Sequence, residues 1–165
     1  MTPGTPSIED HQAIAELLHL LGRAWLLEPD REMLDRLAVL PALRDSAENI
    51  TEEAAAIEYS TVLLQVVPPY ASLFLHESGM LNAAPAEEAQ RAYLEGGFEI
   101  DPAWRAGAAD HLGLHLLFLA HLLAHGSAGW RGHLSRKILN WAPVCCLAVA
   151  RVGDSRRYAP LATFT

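Results

Sequence analysis

Apolar residues recur along most of this 165-residue chain at the spacing of an α-helix rather than at that of a β-strand. From Ile14 they fall at positions 14, 17, 18, 21 and 25, which lie on one face of a helix. Ser7 and Asp10 have the spacing of a capping box at the start of this helix. Pro29 predicts its end, because a proline disfavours helical backbone at the residue before it. A short second helix is expected over residues 30–39.

The middle of the chain predicts two more helices and a long loop. Thr51, followed by two glutamates, is typical of an N-cap, and its helix should run to the prolines at 68 and 69. Residues 68–81 are expected to form an irregular connection. Pro85 in a first turn and the glycines at 96 and 97 delimit the next helix. Residues 98–108 predict a loop that is longer than most connections, and such loops are often functional.

The last third begins with "DHLGLHLLFLAHLLAH" at residues 110–125, which is apolar nearly all round and predicts a central, buried helix ending at Gly126. A final apolar stripe runs over residues 134–152 and is expected to kink or restart at Pro143. Cys145 lies on this stripe and is interpreted as a small core residue. Strand-like alternation and internal repeats are absent from the sequence. The prediction is therefore an all-α fold: one domain over residues 1–165, a bundle of about six or seven helices.

Composition narrows the range of functions. A chain of this length can bury one core, and an apolar content of 51% argues against disorder. The net charge of −8 argues against nucleic acid as a partner and suits a cationic peptide or protein. The N-terminus lacks the pattern of a secretory signal, and the apolar stretches are too short and too interrupted for a transmembrane segment. Two adjacent cysteines do not form a disulfide framework, so a cytoplasmic protein is expected.

The four histidines of residues 110–125 raise the question of a metal site. They fall within an arc of about 120°, but His111 and His125 lie about 21 Å apart along the axis and cannot share an ion. Each pair four residues apart lacks the further ligands that a transition metal usually needs. A metal site is therefore not expected, and a His-rich metal-binding protein is kept as a minor alternative. His121 and His125 are expected at the surface or at the negative end of the helix dipole.

Other chemistry is sparse in the sequence. Asp110 is expected either to fix the imidazole of His111 or to cap the helix that follows. The sequence contains no phosphate-binding loop of the Walker or Rossmann type and no GxSxG motif. No catalytic residue is therefore predicted.

Several stretches, read in order, resemble the TorD/DmsD/NarJ family of redox-enzyme maturation chaperones. They are "PPYASLFL", "QRAYLEGGFEID", "ADHLGLHLLFLAHLLA", "ILNWAP" and "RRYAPLA". The resemblance extends to the first helix and its proline-broken end, and so covers almost the whole chain. This chain departs from the family pattern at Ala109, which replaces a proline, at His115, where relatives often carry Glu, and at Arg157, which replaces a phenylalanine.

The resemblance implies an all-helical, non-enzymatic chaperone. Such a protein binds the twin-arginine signal peptide, or the apo-form, of a molybdenum-containing oxidoreductase and assists maturation before export. The alternative within the family is a NarJ-like assembly factor that acts on the mature apo-enzyme. The resemblance also implies a monomer or a homodimer, with residues 98–108 as a hinge for domain swapping. No cofactor is expected. The binding of guanine nucleotide is left open, since no phosphate-loop motif in the sequence supports a specific site for it.

A receptor for this peptide should place carboxylates beside an apolar groove, since the peptide carries two guanidinium groups and then an apolar stretch. Asp110 and Tyr70 could equally serve the fold alone, as a helix cap and as part of the core. The residues expected to bind the signal peptide are Tyr70, Ser72, Phe74, Glu99, Asp101, Trp104, Asp110, His111, Leu114 and His115.

Overall fold

The computed structural model describes residues 8–104, 107–153 and 155–165 of the chain. Within these ranges the regular structure is helical, with one isolated β-bridge and no strand, which confirms the all-α prediction. Two helices continue as π-helical segments, α4 into Tyr59–Val66 and α8 into Leu134–Ile138. The α-helices of the described residues are Ile8–Leu26 (α1), Arg31–Ala38 (α2), Arg44–Glu48 (α3), Glu52–Glu58 (α4), Ala71–Leu75 (α5), Ala84–Glu95 (α6), Leu112–Ala124 (α7), Trp130–His133 (α8), Ala142–Ala150 (α9) and Tyr158–Phe164 (α10).

The expected number of six or seven helices is too low for the described part of the chain, which has ten. Five of these helices have fewer than eight residues. A helix of one or two turns contains too few apolar positions to reveal a period of 3.6 residues. The longer helices were therefore predictable, whereas of the short ones only α4, with its N-cap Thr51, was predicted.

The connection predicted at residues 68–81 contains one such short helix, α5. Its N-cap, Tyr70, makes no capping hydrogen bond with its own side chain. The cap comes instead from Asp110, whose Oδ2 accepts the backbone N–H of Ser72 at 2.6 Å. Because Asp110 lies 38 positions after Ser72 in the chain, the local sequence could not indicate this cap.

Several predicted helix ends are confirmed. Asp30 and Thr51 each cap a helix through a side-chain oxygen, which accepts the N–H of Met33 at 2.8 Å and of Ala54 at 3.2 Å, respectively. Pro143 lies in the first turn of α9, so the last apolar stripe does restart there. Gly97 and Gly126 follow α6 and α7 with φ of 65°, a left-handed conformation that glycine adopts without steric cost. The capping box of Ser7 lies outside the described residues.

Helices α1 and α7 form the centre of the molecule. They approach most closely at two glycines, where a Cβ on Gly22 would lie 2.8 Å from the carbonyl oxygen of Gly113. A Cβ on Gly113 would lie 2.5 Å from the oxygen of Gly22. Every residue of α7 from Leu112 to Ala120 is buried, which confirms the prediction of a central helix.

The core consists of one large apolar cluster and two smaller ones. Cys145 is completely buried in the large cluster, as its position on the apolar stripe predicted. Arg157, which stands where the family has phenylalanine, is also buried and donates a hydrogen bond to the hydroxyl of Tyr158 at 2.7 Å. None of the helices in the described ranges is long and apolar enough to cross a membrane.

Candidate functional site

The loop before α5 pairs with the loop before α7. The N–H of Ala71 donates to the carbonyl of Asp110 at 3.0 Å, and the N–H of Leu112 donates to the carbonyl of Pro69 at 2.8 Å. These two bonds form the isolated antiparallel bridge between Tyr70 and His111. The proline-tyrosine loop and the Asp-His pair, which are distant in the sequence, therefore form one junction.

Asp110 holds this junction together from the inside. Its side chain has no exposed surface, and Oδ2 accepts hydrogen bonds from both the backbone N–H and the hydroxyl of Ser72. The other oxygen, Oδ1, is buried and has no hydrogen-bond partner among the described residues. A buried carboxylate oxygen without a donor is energetically costly, so a donor that reached it would gain a strong charge-assisted bond.

Of the two roles expected for Asp110, the capping of α7 is wrong. His111 is the N-cap, and its Nδ1 accepts the N–H of Gly113 at 3.0 Å. Because Nδ1 accepts, it carries no proton in this arrangement. Burial lowers the pKa of His111 to about 3, so its ring is uncharged near neutral pH.

Tyr70 connects the junction to the long loop at residues 98–108. The Tyr70 ring packs edge-on against His111 with centroids 4.9 Å apart, and its hydroxyl accepts the N–H of Gly107 at 3.3 Å. Burial and the charge of Asp110 raise the pKa of Tyr70, although the bond from Gly107 acts in the opposite direction. The hydroxyl is therefore protonated at neutral pH and remains able to donate a hydrogen bond.

A second group of expected site residues lies deeper. His115 Nδ1 and His133 Nε2 are 3.2 Å apart, and both rings are buried. Burial is the main cause that lowers their pKa values, His115 well below its usual range and His133 to about 4. Phe74 lies against Trp141, with ring centroids 5.6 Å apart, and His115 approaches the same indole at 6.2 Å. This group forms a buried layer of aromatic rings beneath the junction.

The remaining expected residues lie apart from the junction. Glu99 and Asp101 are exposed on the long loop, where Asp101 accepts the N–H of Ala103 at 2.8 Å. Trp104 is half-buried against Phe98. Leu114 is completely buried in the second apolar cluster and contributes no surface. The ten residues thus fall into a junction, a buried layer, a loop and one core position, and their assignment to peptide binding stays a prediction.

Two of the cavities in the described ranges are lined by different residues of α1 and α7. The larger of these two, which we call the α7–α9 groove, has a volume of about 400 Å³. Its walls are almost entirely aliphatic, and its floor begins at Leu112, directly after the His111 cap. Residues that represent its lining are Leu112, Leu116, Leu119, Ile138, Cys146 and Leu147.

The smaller cavity, which we call the Trp104 pocket, has a volume of about 320 Å³ and a mixed lining. The sequence prediction named only Trp104 among its residues. The other lining residues were missed because they come from three separate segments of the chain. The polar positions on α1 were a partial indication of a site in the sequence. Its polar and aromatic lining residues are Gln12, Glu16, His19, Phe98, Trp104 and His121.

The histidines at the end of α7 lie side by side. The rings of His121 and His125 have centroids 4.2 Å apart, and each ring contacts a backbone carbonyl. His125 is exposed and contacts the carbonyl of His121 within the last turn, as expected for a residue at the end of the helix dipole. The described ranges contain no group of three or more histidines, cysteines or acids that could hold a metal ion.

Comparisons with known proteins agree with the resemblance in the sequence. A family model described as nitrate reductase delta subunit matches residues 27–147, which is most of the chain. Over 55 residues the chain is 40% identical to the chaperone protein TorD of Vibrio parahaemolyticus. That match covers 33% of this chain and 25% of the relative, so the chain matches only about a quarter of that protein's length.

The fold has a counterpart among solved structures. It is similar to the crystal structure of a candidate redox enzyme maturation protein from Archaeoglobus fulgidus, with a TM-score of 0.64 over 99% of this chain and 93% of the other. The sequence identity is 16%, so this similarity concerns the fold alone.

Proposed function

This chain belongs to the nitrate reductase delta subunit family, a family of redox-enzyme maturation chaperones, and we propose from this premise which client it serves. In this proposal it binds the twin-arginine signal peptide of a molybdenum-containing oxidoreductase in the cytoplasm. Binding delays export until the cofactor of the client has been inserted. The chaperone acts by reversible binding and performs no chemical step.

The observation that carries this proposal is the α7–α9 groove. A twin-arginine leader has an apolar stretch after its two arginines, and an apolar helix binds by burying one face in a groove of this kind. The groove has aliphatic walls and a volume of about 400 Å³, and its lining residue Leu112 bonds to Pro69 in the junction of Asp110 and Tyr70. Leu139 and Leu147 extend this surface into solvent, each more than half exposed.

Charge supports the same partner. The chain carries a net charge of −8, and Glu99 and Asp101 are exposed on the loop that leads to the junction. An acidic surface attracts a basic peptide and orients it before contact. The apolar groove would hold the leader, and the carboxylates would favour its basic end.

The test is a calorimetric titration of the purified protein with a twin-arginine leader peptide. We expect saturable binding, and we expect Leu147→Glu to weaken it by at least about tenfold, because a carboxylate in an aliphatic groove is poorly solvated. Ile57→Glu is the matched control, since Ile57 is 60% exposed, Leu147 is 58% exposed, and only Leu147 lines the groove. Absence of saturable binding to any leader would remove the proposal.

A second candidate is a NarJ-like assembly factor that acts on the mature apo-enzyme. The description of the matched family as a nitrate reductase delta subunit favours it. Pull-down of the client with and without its leader separates the two candidates. If the client is no longer captured after its leader is removed, the leader-binding chaperone is supported. If its capture is undiminished, the NarJ-like assembly factor is supported.

A further inference from the structure

The Trp104 pocket is lined by other residues of α1 and α7 than the groove and differs from it in chemistry. It is bounded by α1, by the long loop and by the C-terminal half of α7. Its volume of about 320 Å³ is at the small end of the range for ligand sites and is ample for one side chain. The contrast between the two cavities suggests that they receive different parts of a partner.

One wall of the pocket is aromatic and firmly supported. Phe98 and Trp104 have ring centroids 6.1 Å apart and planes inclined by 30°. Phe98 packs in turn on the buried ring of Phe118 at 5.5 Å, so the wall is anchored in the core. A half-buried pair of aromatic faces attracts a flat cation, which stacks on the rings and interacts with their π electrons.

The rim of the pocket carries a carboxylate and hydrogen-bond acceptors. Gln12 donates to Oε1 of Glu16 at 3.2 Å, which holds the carboxylate at this edge of α1. His121 contacts the carbonyl of Gly96 at 3.0 Å through Nε2, and a carbonyl can only accept, so Nε2 carries the proton. A ring that carries its proton on Nε2 alone can accept a hydrogen bond at Nδ1.

The lining presents no competing cation. Burial lowers the pKa of His19, and the nearby charges of Arg23 and Arg36 lower it further, so this ring is uncharged at neutral pH. Neither lysine nor arginine is among the lining residues of the pocket in the described ranges. Among the described residues of the lining, Glu16 is therefore the one with a fixed charge, and that charge is negative.

We propose that the Trp104 pocket receives the guanidinium group of one arginine of the partner's leader, with Glu16 as its counter-ion and Phe98 and Trp104 as its stacking wall. This inference rests on the proposed function and names the residues that would make the protein prefer arginine in the leader. A guanidinium is planar and has forked donors, so it can pair with a carboxylate and stack on an aromatic face together. A lysine ammonium is compact and strongly hydrated, so it can pair with a carboxylate but cannot stack on an aromatic face.

The test compares four leader peptides, with Arg-Arg, Arg-Lys, Lys-Arg and Lys-Lys, on wild type and variants. We expect Glu16→Gln and Trp104→Ala each to reduce the preference of the protein for Arg-Arg over Lys-Lys by about tenfold. Affinity for the Lys-Lys peptide should change much less. Trp104→Phe keeps an aromatic wall and should retain most of the preference.

Because Glu16 is the one carboxylate among the described lining residues and pairs with one guanidinium, only one of the two mixed peptides should remain sensitive to Glu16→Gln. Glu9→Gln is the matched control, since it removes the same charge from an exposed position of α1 outside the pocket. Circular dichroism melting of each variant checks that its fold is retained.

The outcomes separate this inference from the proposed function. If the wild type binds no leader, both are overturned. If it binds the leaders but does not prefer arginine, or if Glu16→Gln and Trp104→Ala leave the preference unchanged, the pocket assignment is overturned and leader binding stands. Loss of the preference in both variants, with Glu9→Gln unchanged, supports the pocket.

Discussion

At the scale of single residues, the Asp-His pair has a different role from the one its position suggested. An acid before a helix predicts a cap, yet the cap is His111, and Asp110 is turned inward to Ser72. A carboxylate without exposed surface is a poor first contact for a peptide. Asp110 therefore shapes the site by fixing the loop of Tyr70, a structural role other than the cap of α7 that the sequence had left open.

Removal of the Asp110 carboxylate should cost stability. Asp110→Ala deprives two donors of Ser72 of their acceptor in a buried site, so we expect a loss of about 2–4 kcal/mol in the free energy of unfolding. Urea denaturation measures this loss. Glu99→Ala, on the exposed loop, is the control and should change it by less than about 0.5 kcal/mol. An equal effect of the two variants would contradict the role of Asp110 as the link between the loops.

The buried histidines predict a dependence of stability on pH. His133 has a folded-state pKa of about 4 against an ordinary value of 6.5, because burial disfavours its charged form. The unfolded chain therefore binds more protons, and stability falls as the pH decreases from about 6.5 towards 4. His111, with a pKa of about 3, and His115 contribute in the same direction.

The variant His133→Gln isolates one of these contributions. Glutamine does not titrate, so the loss of stability between pH 6.5 and 4.5 should become shallower by up to about 1.4 kcal/mol per pH unit. Urea denaturation over this range measures the slope. His125→Gln removes an exposed histidine and should leave the slope as it is in the wild type. A steeper slope in His133→Gln would contradict the assignment of a neutral, buried ring.

At the scale of elements, the contact between α1 and α7 organises the molecule. Two glycines allow the helices to approach so closely that backbone faces backbone at their crossing. Both helices also contribute lining residues to the aliphatic α7–α9 groove and to the Trp104 pocket with its mixed lining. A change in the distance between the two helices should therefore disturb both cavities.

Gly22→Ala tests this contact. The new methyl group would lie 2.8 Å from the carbonyl oxygen of Gly113 and from a side-chain carbon of Leu117, so the helices must separate. We expect a loss of about 1–3 kcal/mol in the free energy of unfolding, the usual cost of overpacking. Gly153→Ala is the control, because nothing lies within 4 Å of its added Cβ. Wild-type stability of Gly22→Ala would show that the crossing can relax.

At the scale of the whole molecule, charge is distributed unevenly along the chain. All but one of the 20 acidic residues precede residue 126, whereas half of the 12 lysines and arginines follow it. The carboxylates Glu16, Glu99 and Asp101 belong to the acidic part, and the Trp104 pocket is built from it. The segments that supply α9 and most of the groove wall belong to the part after residue 126, which contains a single acidic residue.

This asymmetry predicts that leader binding depends on salt. Raising NaCl from about 50 mM to about 500 mM shortens the screening length and should weaken binding of an Arg-Arg leader several-fold. A leader with Gln-Gln in place of the two arginines should lose less affinity over the same range. Isothermal titration calorimetry measures both. Equal salt dependence of the two peptides would indicate that the arginines do not meet the acidic surface.

The sequence by itself determined the class of fold and the course of its longer helices. Periodic apolar positions, proline at 29 and 143, and glycine at 97 and 126 act within one or two turns of where they stand, so their effects can be read locally. The resemblance to maturation chaperones rests on motifs of the same local kind, and the family match confirms it.

Only the tertiary structure decided which residues meet. Asp110 caps α5 from 38 positions away, and Glu16, Trp104 and His121 reach one pocket from three segments. The sequence pattern gives the face of a helix that is apolar, but the neighbour of that face depends on packing among all helices. For this reason Leu114, an apparent groove residue, lies in the core, and Glu16, an apparent surface residue, lies at the rim of the pocket.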